Sequence, residues 1–157
     1  LDGHLDLLLK IKTRGQAAVL TPHPGEMARL IKKGRDYVQR DRKKVAVDFA
    51  EKYNVVLVLK GHRTIVARPD GKVYINKTGN PGMASGGVGD ALTGIIASFM
   101  GQGLPPFDAA RLGVYAHGLA GDIAVKEKGQ MSLIATDLLN KLPDALKKLV
   151  PRQISFY

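Results

Sequence analysis

The segment Thr78-Gly79-Asn80-Pro81-Gly82-Met83-Ala84-Ser85-Gly86-Gly87-Val88-Gly89-Asp90 holds five glycines in thirteen residues and runs into an apolar helical pattern. Glycine lets a backbone approach a ligand closely and adopt positive φ angles, and the first turn of a helix presents unpaired N–H groups with a partial positive charge. Together these make a cradle for phosphate. Asp90 falls where the helix starts, beside any phosphoryl group so held, and could accept a proton from an attacking hydroxyl there. Phosphoryl transfer suits such an arrangement. The same residues also describe a tight turn with Asp90 merely capping its helix, so the pattern alone leaves both readings open.

Other polar residues carry similar pairs of readings. Lys60 ends an apolar run and precedes a glycine, a position where ligands gather in α/β sheets, or it is a solvated lysine at a strand end. His23 stands between two prolines, as an exposed loop residue or a ligand contact. Glu26 favours a helix N-terminus through the dipole. His117 and Asp122 fall on a nearly uniformly apolar helical run and are expected as satisfied structural groups. With no cysteine in the chain, disulfides, thiolate metal sites and cysteine nucleophiles are excluded. His4, His23, His62 and His117 lie too far apart to form a close-spaced metal motif.

These residues need elements to position them. Ala17 to Leu20 reads as a short strand delivering the loop Thr21-Pro22-His23-Pro24-Gly25. Glu26 to Lys32 has helical spacing, and Asp41 to Tyr53 carries Val45, Phe49 and Tyr53 at intervals of four, predicting a second helix. Val55 to Leu59 is apolar on both faces, as in a strand covered on two sides. Thr64 to Ala67 and Val73 to Ile75 flank the turn sequence Pro69-Asp70-Gly71 and predict a hairpin, so the sheet should end in antiparallel strands. Helices are predicted from Val88 to about Met100 with Leu92, Ile95, Ile96 and Phe99 on one face, from Ala109 to Val125 as a buried helix, and from Thr136 to Leu149 with a bend near Pro143. A short tail ends at Tyr157.

The chain has 157 residues, 45% hydrophobic and 24% charged, which is the composition of one globular domain. Its longest strongly apolar stretch is far shorter than the roughly 20 residues needed to span a bilayer. Leu1 to Lys12 lacks the features of a secretory signal, and a cytoplasmic location without membrane partners is expected. The formal net charge of +10 is spread along the chain without interleaved aromatics, which argues against nucleic acid and would equally attract nucleotides and phosphates.

Three segments, Leu20-Thr21-Pro22-His23-Pro24-Gly25-Glu26-Met27-Ala28-Arg29-Leu30, Leu59-Lys60-Gly61-His62-Arg63-Thr64 and Gly79-Asn80-Pro81-Gly82 through Gly86-Gly87-Val88-Gly89-Asp90-Ala91-Leu92-Thr93-Gly94, resemble successive signatures of the ADP-dependent NAD(P)H-hydrate dehydratase family. The resemblance continues through Ala116 to Asp122 and Ala135 to Leu139, and so covers nearly the whole chain. It implies an α/β fold of the ribokinase-like type, a layered sheet flanked by helices, with residues 1–157 forming a single domain that is the C-terminal portion of the family's unit and lacks its N-terminal part. It implies Asp90 as general base and substrate contact, and Gly86, Gly87 and Gly89 with Lys60, Gly61, His62, Arg63 and Thr64 as the nucleotide site. It further implies His23 as a contact for the hydrated nicotinamide nucleotide, and Glu26 as a residue that helps hold Mg2+ through water.

The implied reaction dehydrates NADHX or NADPHX with ADP as co-substrate, giving AMP and phosphate. The implied partners are these small molecules, together with a second copy of the chain or another chain supplying the N-terminal half. A ribokinase-like small-molecule kinase and an inactive nucleotide-binding fragment are the competing readings. Against the kinase stands His23-Pro24-Gly25-Glu26, where an Asn-x-x-Glu element would be usual. Leu1-Asp2-Gly3-His4-Leu5 is a poor match to an acidic element of the family, and Asp2 is given no role.

Overall fold

In a computed structural model, residues 1, 3–13 and 17–149 are described; Asp2 and the tail at 150–157 lie outside them. The elements in order are α1 (Asp6–Thr13), β1 (Val19–Leu20), α2 (Pro24–Leu30), α3 (Arg35–Arg40), α4 (Arg42–Tyr53), β2 (Val56–Leu59), β3 (Ile65–Ala67), β4 (Val73–Ile75), a single 3₁₀ turn (Pro81–Met83), α5 (Val88–Gly101), α6 (Pro106–Lys128) and α7 (Ala135–Leu149). The sheet order is β1-β2-β3-β4, with β1 parallel to β2 and the remaining pairs antiparallel.

Alternation along the strands divides the interior into two layers. Val55, Leu57, Leu59, Ile65 and Ala67 pack with Met27, Val38, Val45 and Phe49 on the side of α2, α3 and α4. Val56, Val58 and Val66 face the other way, onto Leu92, Ile96, Phe107 and Val114 of α5 and α6. Every residue of β2 is buried, as its two-sided apolarity requires. A third cluster joins Val88 and Ala120 to Leu138 and Ala145, fastening α7 onto α5 and α6.

Local chemistry sets the element ends. Asp41 accepts a hydrogen bond from the Lys44 N–H and caps α4, which stops at Asn54 in the left-handed conformation (φ 53°). The predicted strands, hairpin and buried helix are present, the last extended to Pro106–Lys128. Two helices were not anticipated, α1 and the six-residue α3, and α7 continues through Pro143 as one helix. Among the described residues no helix is long and apolar enough to cross a membrane.

Candidate functional site

Gly87 is the N-cap of α5 at φ 80°, a left-handed conformation that favours glycine, and no side chain caps this end. The first-turn N–H groups of α5 are therefore left without a side-chain acceptor, the condition for binding an anion. Asp90 is the third residue of the helix and is exposed. It is not the cap. No hydrogen bond or ion pair engages its carboxylate among the described residues, and Gly86 and Gly87 are exposed beside it.

A cavity of about 450 Å³ opens next to this turn. Lys60, Gly61, His62, Arg63 and Thr64 form one wall and the loop at residues 77–81 another; Val88 and Gly89 contribute the α5 end, and Val114, His117 and Gly118 of α6 line it from below. Gly86, Gly87 and Asp90 do not line the cavity, and all three are exposed beside it in sequence.

The glycines of α6 explain how a loop can lie so close to a helix. A Cβ on Gly118 would overlap Thr78 Oγ1 and come within 2.7 Å of the Thr78 carbonyl carbon, and one on Gly121 would overlap Met83 Sδ. Asp122, one residue further, accepts hydrogen bonds from the Gly79 N–H (2.9 Å) and the Asn80 side-chain amide (3.0 Å), tying down the loop. His117 is buried, with its Nε2 2.9 Å from the Val88 carbonyl. The carbonyl can only accept, so that nitrogen carries the proton. Burial lowers the His117 pKa against the raising effect of that bond, which favours the neutral ring. Both side chains are satisfied by partners within the protein, and His117 also lines the cavity.

The loop before α2 is joined to this centre. Thr21 and Thr93 share a hydrogen bond of 2.9 Å between hydroxyls, docking the loop on α5 one turn beyond Asp90. His23 caps α2, its Nδ1 accepting from the Gly25 and Glu26 N–H groups, while the Glu26 carboxylate accepts from the His23 N–H at 2.6 Å. This reciprocal pair is a capping box with histidine in the position usual for serine or threonine. Glu26 Oε2 lies 3.6 Å from Lys60 Nζ, and that ammonium would stand 3.0 Å from a Cβ placed on Gly89. Burial would raise the Glu26 pKa, but the His23 N–H, Lys60 and the His23 ring together hold it below its ordinary value. Lys60 thus bridges the His23–Glu26 loop and the α5 N-terminus.

Among the described residues no three acidic or histidine groups cluster as a metal site. A Mg2+ carried by nucleotide phosphates keeps most of its water and needs only one or two carboxylates; the Glu26 carboxylate, with its side chain 39% exposed, is open to such a role. The residues fit a phosphate-borne cation and not a dedicated protein cage.

One residue that sequence reasoning missed is Arg42, the first of α4. Its guanidinium donates to the carbonyls of His62 (2.6 Å), Leu59 (3.1 Å) and Lys60 (3.1 Å). Its partners are backbone atoms 17 to 20 residues away, which no side-chain pattern could announce.

The family model for NAD(P)H-hydrate dehydratase matches residues 3–144. The chain is 56% identical over 131 residues to the bifunctional NAD(P)H-hydrate repair enzyme Nnr of Moorella thermoacetica, covering 83% of this chain and 25% of that one. It is similar in structure to the ADP/ATP-dependent NAD(P)H-hydrate dehydratase of Bacillus subtilis co-crystallised with ATP and Mg2+, at a TM-score of 0.83 and 36% identity over 86% of this chain and 49% of that one. A ribokinase-like superfamily protein of Enterococcus faecalis aligns at a TM-score of 0.69 and 31% identity, over 91% of this chain and 50% of that one. The fold is ribokinase-like. The chain spans about a quarter of the length of the Moorella relative and half of the aligned structures.

Proposed function

The chain belongs to the NAD(P)H-hydrate dehydratase family, and from that premise we propose that it takes part in the ADP-dependent dehydration of hydrated NADH or NADPH, a repair of the nicotinamide nucleotide. The observation that carries this reading is the exposed, unpaired Asp90 carboxylate in the first turn of α5, one residue from the Gly89 that lines the 450 Å³ cavity.

In this reading the nucleotide occupies the cavity, with residues 60–64 along one wall and its terminal phosphate toward the N–H groups of Gly87 and Gly89. The hydrated nicotinamide ring lies near Asp90 and the His23–Glu26 loop. Asp90 takes the proton of the ring hydroxyl as its oxygen bonds to the β-phosphorus of ADP and the bridging P–O bond to AMP breaks. Phosphate then leaves with the C–O bonding pair, pushed by the lone pair of the ring nitrogen, and loss of a proton from the neighbouring ring carbon restores the double bond. Hydroxide is a poor leaving group at neutral pH and phosphate a good one, so the nucleotide makes an otherwise slow elimination easy. Lys60 and the α5 dipole stabilise charge on the transferred phosphoryl group. Magnesium, when bound, neutralises phosphate charge, with Glu26 holding it through water.

Residues 1–157 act here as one domain, the later portion of the family's catalytic unit, working in the cytoplasm. It associates with itself or with a chain that adds the rest. The test is Asp90→Asn, assayed with hydrated NADPH and either ADP or ATP while AMP and phosphate are followed. The variant should bind ADP as wild type does and lose turnover by about 100-fold or more. Wild-type recovery of NADPH absorbance would remove Asp90 from the chemistry, and a stable phosphorylated product from the unaltered protein would indicate a kinase.

A further inference from the structure

We propose that Arg42 is the positioning residue of the nucleotide cavity: by holding three carbonyls of residues 59–62 behind the wall, it turns the Gly61 and Arg63 N–H groups toward a bound nucleotide's phosphates. The inference rests on the nucleotide reading of the cavity and goes beyond it by assigning a residue that does not line the cavity.

The geometry is unusual for an arginine. Its charge meets no carboxylate among the described residues; the donors are spent on the Leu59, Lys60 and His62 carbonyls, and Nε is buried without a partner. A half-buried guanidinium without a counter-ion is costly, and burial lowers its pKa. For its cost the arrangement obtains control of backbone direction.

In a trans peptide the C=O and the following N–H point in opposite directions. Each carbonyl that Arg42 draws to itself therefore turns the next N–H away from the guanidinium. The Leu59 carbonyl shows this, because the Lys60 N–H is sent across to the Pro22 carbonyl at 2.9 Å. The Lys60 and His62 carbonyls likewise send out the N–H groups of Gly61 and Arg63, and neither is bonded to a backbone or side-chain group of the described residues. Both residues have positive φ, 134° at Gly61 and 55° at Arg63, so the chain changes direction sharply on either side of His62. At Gly61 a Cβ would meet Arg42 Nη2 at 3.0 Å, so guanidinium and glycine are fitted to each other. The uncompensated charge adds to the attraction for phosphate from behind the wall.

Lysine could not replace this fork, since an ammonium cannot span three carbonyls in one plane. The experiment compares wild type, Arg42→Met and Arg42→Lys by titration with ADP, by amide hydrogen exchange at Gly61 and Arg63 with and without ADP, and by steady-state kinetics. We expect Arg42→Met to raise the Kd for ADP by about tenfold or more, to lose the ADP-induced protection of both amides, and to leave the KM for the hydrated nucleotide within about twofold, with Arg42→Lys between it and wild type. If Arg42→Met does not melt cooperatively, the Arg42→Lys titration decides, and wild-type affinity in that variant overturns the proposal. So does wild-type affinity in a folded Arg42→Met, or a wild-type protein whose two amides are not slowed by ADP. Because binding is read apart from turnover, ADP binding without dehydration would count against the repair activity and leave the role of Arg42 standing.

Discussion

Glu26 is the residue whose ionisation matters most to the local structure. Its carboxylate closes the capping box of α2, faces Lys60, and has a pKa held below the ordinary 4.5. A carboxyl with a lowered folded-state pKa adds stability that is fully present above its unfolded value and is lost as pH falls through the folded one. Glu26→Gln should therefore lower the unfolding midpoint at pH 7, and the gap from wild type should close as the pH is taken from about 5 toward 3. Urea titrations across that range measure it, and a gap independent of pH would show that the carboxylate's charge is irrelevant there. The side chain is half-exposed, so the effect at pH 7 belongs with ordinary capping, about 1 kcal/mol. Glu26 was legible in the sequence as an acid at a helix start. Its pairing with Lys60, 34 positions along the chain, was not, because ion pairs between loops follow from the tertiary fold and leave no local pattern. The same holds for His23, where the motif marked the residue and the structure adds that one ring nitrogen is committed to α2.

The packing of α6 against the loop at residues 77–83 turns on side chains that are absent. Gly118→Ala would gain helix propensity, about 1 kcal/mol in an exposed helix, but the added methyl would lie 2.7 Å from the Thr78 carbonyl carbon, which cannot move without the loop. The variant should be destabilised by about 1 to 3 kcal/mol and bind ADP more weakly, since the loop forms a wall of the cavity. Gly94 is the control: it lies in α5, is exposed, and a Cβ there meets nothing within 4 Å. Gly94→Ala should raise stability by about 0.5 to 1 kcal/mol. Denaturant midpoints for the pair, with ADP titrations of Gly118→Ala, decide whether close approach or propensity rules these helices. At this level the sequence was informative wherever burial imposes a period. Val55 to Leu59, apolar on both faces, became a strand buried throughout, and the Pro69-Asp70-Gly71 turn joined an antiparallel pair. It was silent on α3, where Val38 is the only buried residue of six and no period can form. The purpose of Gly118 and Gly121 was equally hidden, for what they accommodate comes from another part of the chain.

Across the whole molecule the sheet is covered on both faces but not along its length. β1 has two residues and, among the described residues, pairs only with β2, so its far edge faces no strand. Leu1, Leu20 and Leu30 line a groove of about 290 Å³ near that strand, and Leu7 and Leu9 of α1 remain exposed. A free parallel edge with apolar surface beside it is a template for further pairing. The Moorella and Bacillus subtilis relatives carry additional sequence, with more than half of their length outside the matched region. Residues 1–157 on their own should therefore self-associate, giving a native mass by light scattering above that of one chain at micromolar concentration, and a melting temperature that rises with protein concentration as linkage demands. Co-expression with the preceding segment of a relative such as the Moorella enzyme should replace self-association by a defined complex. A single chain that stays monomeric at about 100 μM, with a melting temperature independent of concentration, would mean that the edge at β1 is tolerated in water and needs no partner.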